Sequence, residues 1–134
     1  RGILRAMAEL KDYTTICGSA PSELLAAVAL RRREAILARN LEILRGNLAL
    51  LDAFFARHEG LFFWRRPRAG PVALPALRSG AADDFCARLL AETGVLLAPG
   101  RLFAAAPGCF RIGFGRADFA AGLERVRRYL EKCS

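Results

Sequence analysis

Arg111 is the side chain in this sequence best suited to carry chemistry. It sits in the apolar run CFRIGFG, between Phe110 and Ile112. An arginine inside such a run is costly to bury unless an anion meets it. Two partners would satisfy it. One is an Asp or Glu of the same fold, and the other is the carboxylate of a small acid, gripped by the planar guanidinium fork. Strand patterning alone leaves both open. Ahead of Arg111 come an apolar strand, a Pro99–Gly100 turn and a small-residue loop that reads as mobile.

The other reactive residue types fall into structural roles. His58 stands at a predicted helix end beside Glu59, where a cationic side chain suits the helix dipole. Ser19 and Ser22 have no convincing histidine partner, and helix capping accounts for both. Asp83 and Asp84 fit the first turn of a helix. The Gly113–Gly115 segment, GFG, is too short for a phosphate-binding fingerprint. Lys11 and Lys132 are the only lysines, and neither has an apolar pocket signal around it. The four cysteines, Cys17, Cys86, Cys109 and Cys133, are far apart, so no metal site is expected and reduced, partly buried thiols are the better reading. No catalytic residue is assigned in this chain.

Bulk properties narrow the class. A chain of 134 residues fits one domain that buries about two-thirds of its unfolded surface. A hydrophobic fraction of 54% excludes a disordered chain. No apolar run approaches the ~20 residues needed to span a bilayer, so no membrane partner is expected. Residues 1–10 lack a signal-peptide pattern, and the opening in mid-pattern on Arg1 suggests a fragment or processed product. The net charge of +8 would suit nucleic acid. However, the arginines are scattered and no recognition motif accompanies them, so a nucleic-acid partner is not expected.

These residues need elements to hold them. A short helix over 3–10 and an extended turn, DYTTICGSAPSE, precede a helical pattern that continues to about His58. Leu37, Leu41, Leu44, Leu48, Leu51 and Phe55 form its buried stripe, widened by Ile36, Ile43, Leu50 and Phe54. Core packing or a subunit contact explains the stripe better than a free coiled coil. Gly46 would mark a bend or a close contact. Beyond Gly60, LFFW and PVALPAL read as strands, the second at an edge because Pro71 and Pro75 remove ladder donors. Residues 79–93 read as a helix stopped by Gly94, VLLAP and CFRIGFG as two more strands, and the stretch from Asp118 as a last helix. The expected fold class is α+β: a small, mainly antiparallel sheet of three or four strands covered by helices.

The order KDYTTICGSAPSE, a long arginine-rich helix, FFWRRPRAGPVALP, DDFCARLLAETGVLLAPGRLF and FRIGFGR resembles the C-terminal part of the class I/II, fold-type I aminotransferases. These enzymes use pyridoxal 5'-phosphate. The resemblance runs from about Met7 to Leu130 and is most specific in GVLLAPGRLF followed by FRIGFGR. It implies that Arg111 grips the α-carboxylate of an amino-acid substrate, with Pro99, Gly100 and Phe103 in a loop beside the substrate. It also implies a homodimer with the loop around Ser19 and Pro21 near its interface, amino-acid and 2-oxo-acid substrates, and a cytoplasmic enzyme of amino-acid metabolism. Residues 1–33 would end the large, cofactor-binding domain, 34–58 would form the connecting helix, and 59–134 the small domain.

The family's cofactor-holding lysine, and the groups that anchor the cofactor ring, have no counterpart here, so the fragment alone is expected to be inactive. The same fold also serves lyases, synthases and decarboxylases that use this cofactor. A reading of a different class is a stand-alone binding or dimerisation module built on the long helix.

Overall fold

The computed structural model describes residues 2–15 and 18–133, and the chain divides into two compact units, Arg1–Ala38 and Arg39–Ser134. In the first, helix α1 spans Gly2–Thr14 and helix α2 spans Ala20–Arg31. The helix expected over 3–10 therefore runs on through Asp12, Tyr13 and Thr14, the start of the stretch read as an extended turn. The Thr14 hydroxyl bonds back to the Leu10 carbonyl (3.2 Å), so this polar residue stays within the helix. Ser19 occupies the residue before α2 with extended backbone, but its side chain makes no capping bond; Pro21 lies in the first turn. No side chain of α1 or α2 is buried, and Ile3, Leu4, Met7, Leu10, Leu24 and Leu25 are all exposed.

The helix read as continuous to His58 is broken at Arg32, whose N–H is shared between the Val28 (3.1 Å) and Ala29 (3.2 Å) carbonyls. No proline or glycine marks this break, so residue spacing carried no sign of it. Helix α3 then spans Arg33–Arg57, and the division between the two units falls within it.

In the second unit the apolar stripe of α3 is buried only in part. Leu51, Phe54 and Phe55 are buried and Leu44 and Leu48 pack against the core, whereas Leu41 and Leu50 are exposed. Gly46 has nothing within 4 Å of where a Cβ would stand, so it marks no close contact. Its neighbour Asn47 is the buried polar residue of the helix.

The strands are shorter than their apolar runs. They are β1 (Phe62–Phe63), β2 (Val72–Ala73), β3 (Ala76–Leu77), β4 (Ala98–Pro99) and β5 (Phe110–Gly113), with helix α4 (Ala82–Thr93) between β3 and β4 and helix α5 (Phe119–Cys133) last. All pairings are antiparallel: β1 with β3 in a two-stranded sheet, and β2-β5-β4 in a three-stranded one. The segment PVALPAL, read as one edge strand, is divided between the two sheets. Pro75 has no N–H to give a ladder, but its carbonyl accepts from the Phe110 N–H (3.0 Å) and Ala76 bridges Cys109, so the run keeps its hold on the β5 side while β3 also pairs with β1. Its first half, β2, is an edge strand as expected. Within VLLAP only Ala98 and Pro99 join the ladder. Helix α4 starts three residues later than read, after Gly80 (φ +89°) has turned the chain. It ends on Gly94 in the left-handed conformation (φ 70°).

The core lies between these sheets and helices α3, α4 and α5. Its centre is a chain of rings: Phe55, Phe62, Phe85 and Phe110, with successive centroids 5.5, 5.9 and 5.4 Å apart. Edge-to-face and tilted pairs of this kind add to the area they bury. Phe55 also stacks on Trp64 (4.4 Å), whose indole N–H donates to Asp52 (2.8 Å). Phe119, Val126, Tyr129 and Leu130 bury the inner face of α5, as its spacing predicted for three of them. Cys86 is buried and free, its thiol pushed up by burial and by nearby Asp83, and Cys109 is free and half-buried. Cys17 and the side chain of Cys133 lie outside the described residues.

Candidate functional site

The site forms around β5, and its alternation is strict. Phe110, Ile112 and Phe114 point into the core, at 2%, 6% and 1% exposure, while Arg111 and Gly113 face out. Arg111 is therefore not buried in an apolar strand. The strand is apolar because one face is core, and the guanidinium stands on the other face. Among the described residues Arg111 has no ion-pair partner, so the internal Asp or Glu left open by the sequence is not found.

The Pro99–Phe103 loop is brought directly beside Arg111. Ala98 lies opposite Arg111 in the β4–β5 ladder and Pro99 opposite Phe110. Gly100 then closes the strand pair, its N–H donating to the Cys109 carbonyl at 2.7 Å. A Cβ at Gly100 would fall 2.7 Å from that oxygen and 2.9 Å from the Cys109 Cβ, so only glycine fits without movement. From there Gly100–Phe103 forms a single 3-10 turn that carries Phe103 under the guanidinium, the Arg111 Cζ lying 4.9 Å from the ring centroid.

The small-residue loop beyond is not loose. Arg101 is paired with Asp83 at the start of α4. Ala105 donates to the Gly100 carbonyl (3.0 Å), Ala82 to the Pro107 carbonyl (3.3 Å) and Leu77 to the Gly108 carbonyl (2.9 Å). Bonds of this kind pin the backbone of a loop that composition suggests is mobile.

The C-terminal end of β5 is fixed from the other side by a residue the reading of sites passed over. Asn47 donates its side-chain amide to the carbonyls of Phe114 (2.9 Å) and Arg116 (2.8 Å). A buried amide among apolar residues needs such acceptors. Its position was the available signal: it lies three residues after Leu44 and four before Leu51, a polar residue on the helix's apolar stripe. Asp83 also gains a role beyond the helix dipole, as the tether of Arg101.

The remaining candidates stay structural. His58 follows α3 with Nδ1 2.8 Å from the Phe54 carbonyl, which can only accept, so Nδ1 carries the proton. Arg116 meets Asp118 through two hydrogen bonds of 2.8 Å, which lowers the Asp118 carboxyl below its usual range. Ser19 and Pro21 belong to the N-terminal unit. Lys11 and Lys132 are both exposed on helices, and no group of three metal-ligating side chains occurs among the described residues. Among those residues no helix is long and apolar enough to cross a membrane.

The homologues and structural neighbours of the chain are pyridoxal-phosphate-dependent enzymes of fold type I, aminotransferases and a cyclase, and the chain matches them as a C-terminal portion. It is 33% identical to capreomycidine synthase of Streptomyces vinaceus, over 96% of this chain and 33% of that protein. It is 28% identical to aspartate aminotransferase of Rhizobium meliloti, over its whole length and 36% of that protein. Among solved structures, the pyridoxal-phosphate-dependent cyclase OrfR superposes with a TM-score of 0.87 at 36% identity, over 99% of this chain and 37% of that one. A pyridoxal-phosphate-dependent aminotransferase from Streptococcus suis gives 0.82 at 35% identity, over 93% of this chain and 34% of that one. The chain thus spans about a third of the length of these relatives. No protein-family model matches it.

Proposed function

We propose that this chain supplies the substrate-carboxylate grip of a pyridoxal-phosphate-dependent enzyme that transforms amino acids, and that the whole enzyme is an aminotransferase. The observation that carries the reading is Arg111: an outward guanidinium with no ion pair among the described residues, set beside a pinned Pro99–Phe103 loop. A carboxylate meeting the fork would be held at two points, which fixes the orientation of the Cα bonds behind it.

The cofactor itself would be held elsewhere, since the family's cofactor-holding lysine has no counterpart in this chain. When bound, pyridoxal phosphate supplies the electron sink for chemistry at Cα. What Arg111 adds is orientation, by deciding which Cα bond is presented to the cofactor. The chain alone is accordingly expected to be inactive. In the full-length protein, residues 1–33 would close the large domain, 34–58 connect, and 59–134 form the small domain, with Ser19 and Pro21 at the interface of a cytoplasmic homodimer.

A second reading keeps the carboxylate grip and changes the reaction to that of a synthase or cyclase on the same cofactor. It rests on the synthase and the cyclase among the relatives, 33% and 36% identical, beside aminotransferases at 28% and 35%. Amino transfer to a 2-oxo acid, assayed on the full-length enzyme, separates the two. In either case Arg111→Ala in that enzyme should reduce kcat/KM for the amino acid by about 2–5 kcal/mol of transition-state binding. Normal activity in that variant would end the carboxylate reading.

A further inference from the structure

The geometry points to Phe103 as the positioning residue for Arg111, acting on the guanidinium and not on the substrate. The inference rests on the carboxylate reading of Arg111 proposed above.

An exposed arginine on a strand face has many rotamers, and gripping a carboxylate with two N–H donors requires only a few of them. Something must narrow the choice without consuming the donors. An ion pair would consume them, and none is found for Arg111 among the described residues. A ring beneath the cation works differently: it attracts the charge through its quadrupole and leaves the N–H groups available to an anion.

Phe103 is placed for this by its backbone. Gly100 seats the turn against Cys109, at a distance that admits no Cβ. Arg101 is paired with Asp83 of α4, and Ala105 closes the turn onto the Gly100 carbonyl. Between Arg101 and Ala105 the ring has no packing task that explains its size: it is 42% exposed and belongs to neither the core nor the residues packed on it. Its one aromatic or cationic contact among the described residues is the Arg111 guanidinium, at 4.9 Å. Leu102 beside it is more exposed still, so of the two it is Phe103 that the turn sets against Arg111.

The test uses the full-length enzyme and, as probes, L-alanine, L-aspartate and L-arginine with their α-carboxamides. Equilibrium binding of each pair gives a carboxylate-to-carboxamide preference. Phe103→Leu keeps bulk and removes the ring. It should lower that preference roughly two- to fivefold, the range an exposed cation–π contact covers. Phe103→Tyr should restore it. In an Arg111→Gln background, Phe103→Leu should change nothing further, because the cation it positions is gone.

Equal loss for acids and amides, or the same loss in the Arg111→Gln background, would make Phe103 a packing residue and overturn the inference. If Arg111→Gln collapses the preference while Phe103→Leu leaves it intact, the role of Phe103 alone falls. If Arg111→Gln leaves the preference unchanged, the carboxylate reading falls and this inference with it.

Discussion

Asn47, midway along α3, donates its side-chain amide to the Phe114 carbonyl, 2.9 Å away and 67 residues later. The second amide bond goes to Arg116. One helix side chain thus satisfies the two carbonyls just beyond β5, and fixes where that strand leaves the sheet.

Replacing Asn47 with Leu should therefore cost more than a lost contact. The two carbonyls would lose a buried donor, and an unmade bond of this kind costs about 1–3 kcal/mol. Asn47→Asp should be worse at neutral pH, since a carboxylate presents only acceptors to two acceptors. Urea unfolding of the full-length protein and both variants measures the difference. Stabilities within ~0.5 kcal/mol of wild type would show that these bonds hold nothing.

At Gly100 the expected lesion is steric. Gly100→Ala places a methyl 2.7 Å from the Cys109 carbonyl oxygen, which is backbone and cannot swing aside. A cost of about 1–3 kcal/mol is expected, with the β4–β5 pair parted and Phe103 displaced from Arg111. A crystal structure of the variant would show the shift directly; an unmoved turn would contradict it.

Leu89 of α4 is fully buried in the hydrophobic core. Leu89→Ala should destabilise by about 2–5 kcal/mol through lost burial and the cavity left behind. Leu96, exposed a few residues later, provides the control: Leu96→Ala should stay within ~0.5 kcal/mol. Thermal unfolding of both variants, in the same protein, separates the two cases.

Acid should loosen α5 first through Glu124. Hydrogen bonds from Arg127 and Arg128 hold its carboxyl down from 4.5 to about 2. A lowered folded-state value means the stabilisation is complete above pH 4.5 and is lost as pH falls towards 2. Glu124→Gln should be less stable than wild type at pH 7, and the gap should close across that window. A gap that stays constant with pH would refute the ion-pair account.

How much of this was legible in the sequence depends on whether the governing contact was local. Leu51, Phe54 and Phe55 announce the buried face of α3 by spacing, and Gly94 announces the end of α4 by its freedom at positive φ. The break at Arg32 carried no local signal. Pro75 was visible, but not the bond its carbonyl accepts from Phe110, because that partner lies more than thirty residues away. Arg111 was singled out because a charge in an apolar run is costly to bury, yet Phe110, Ile112 and Phe114 alternate with it, and period two already sends it outward. The pinned loop was illegible because its restraints, Asp83, Cys109 and the Leu77 N–H, come from three separate segments.

The alternation of β5 also gives its positions a parity. Even-numbered residues from Phe110 to Phe114 belong to the interior, and odd-numbered ones face solvent. Inserting one residue after Cys109 would exchange the two sets, sending Arg111 into the buried place of Ile112 and leaving phenylalanines outside. Inserting two would restore the sides but shift Arg111 along the ladder, away from Phe103. The fold of the segment from Phe110 to Phe114 should therefore tolerate substitution on its outer face far better than any change in length.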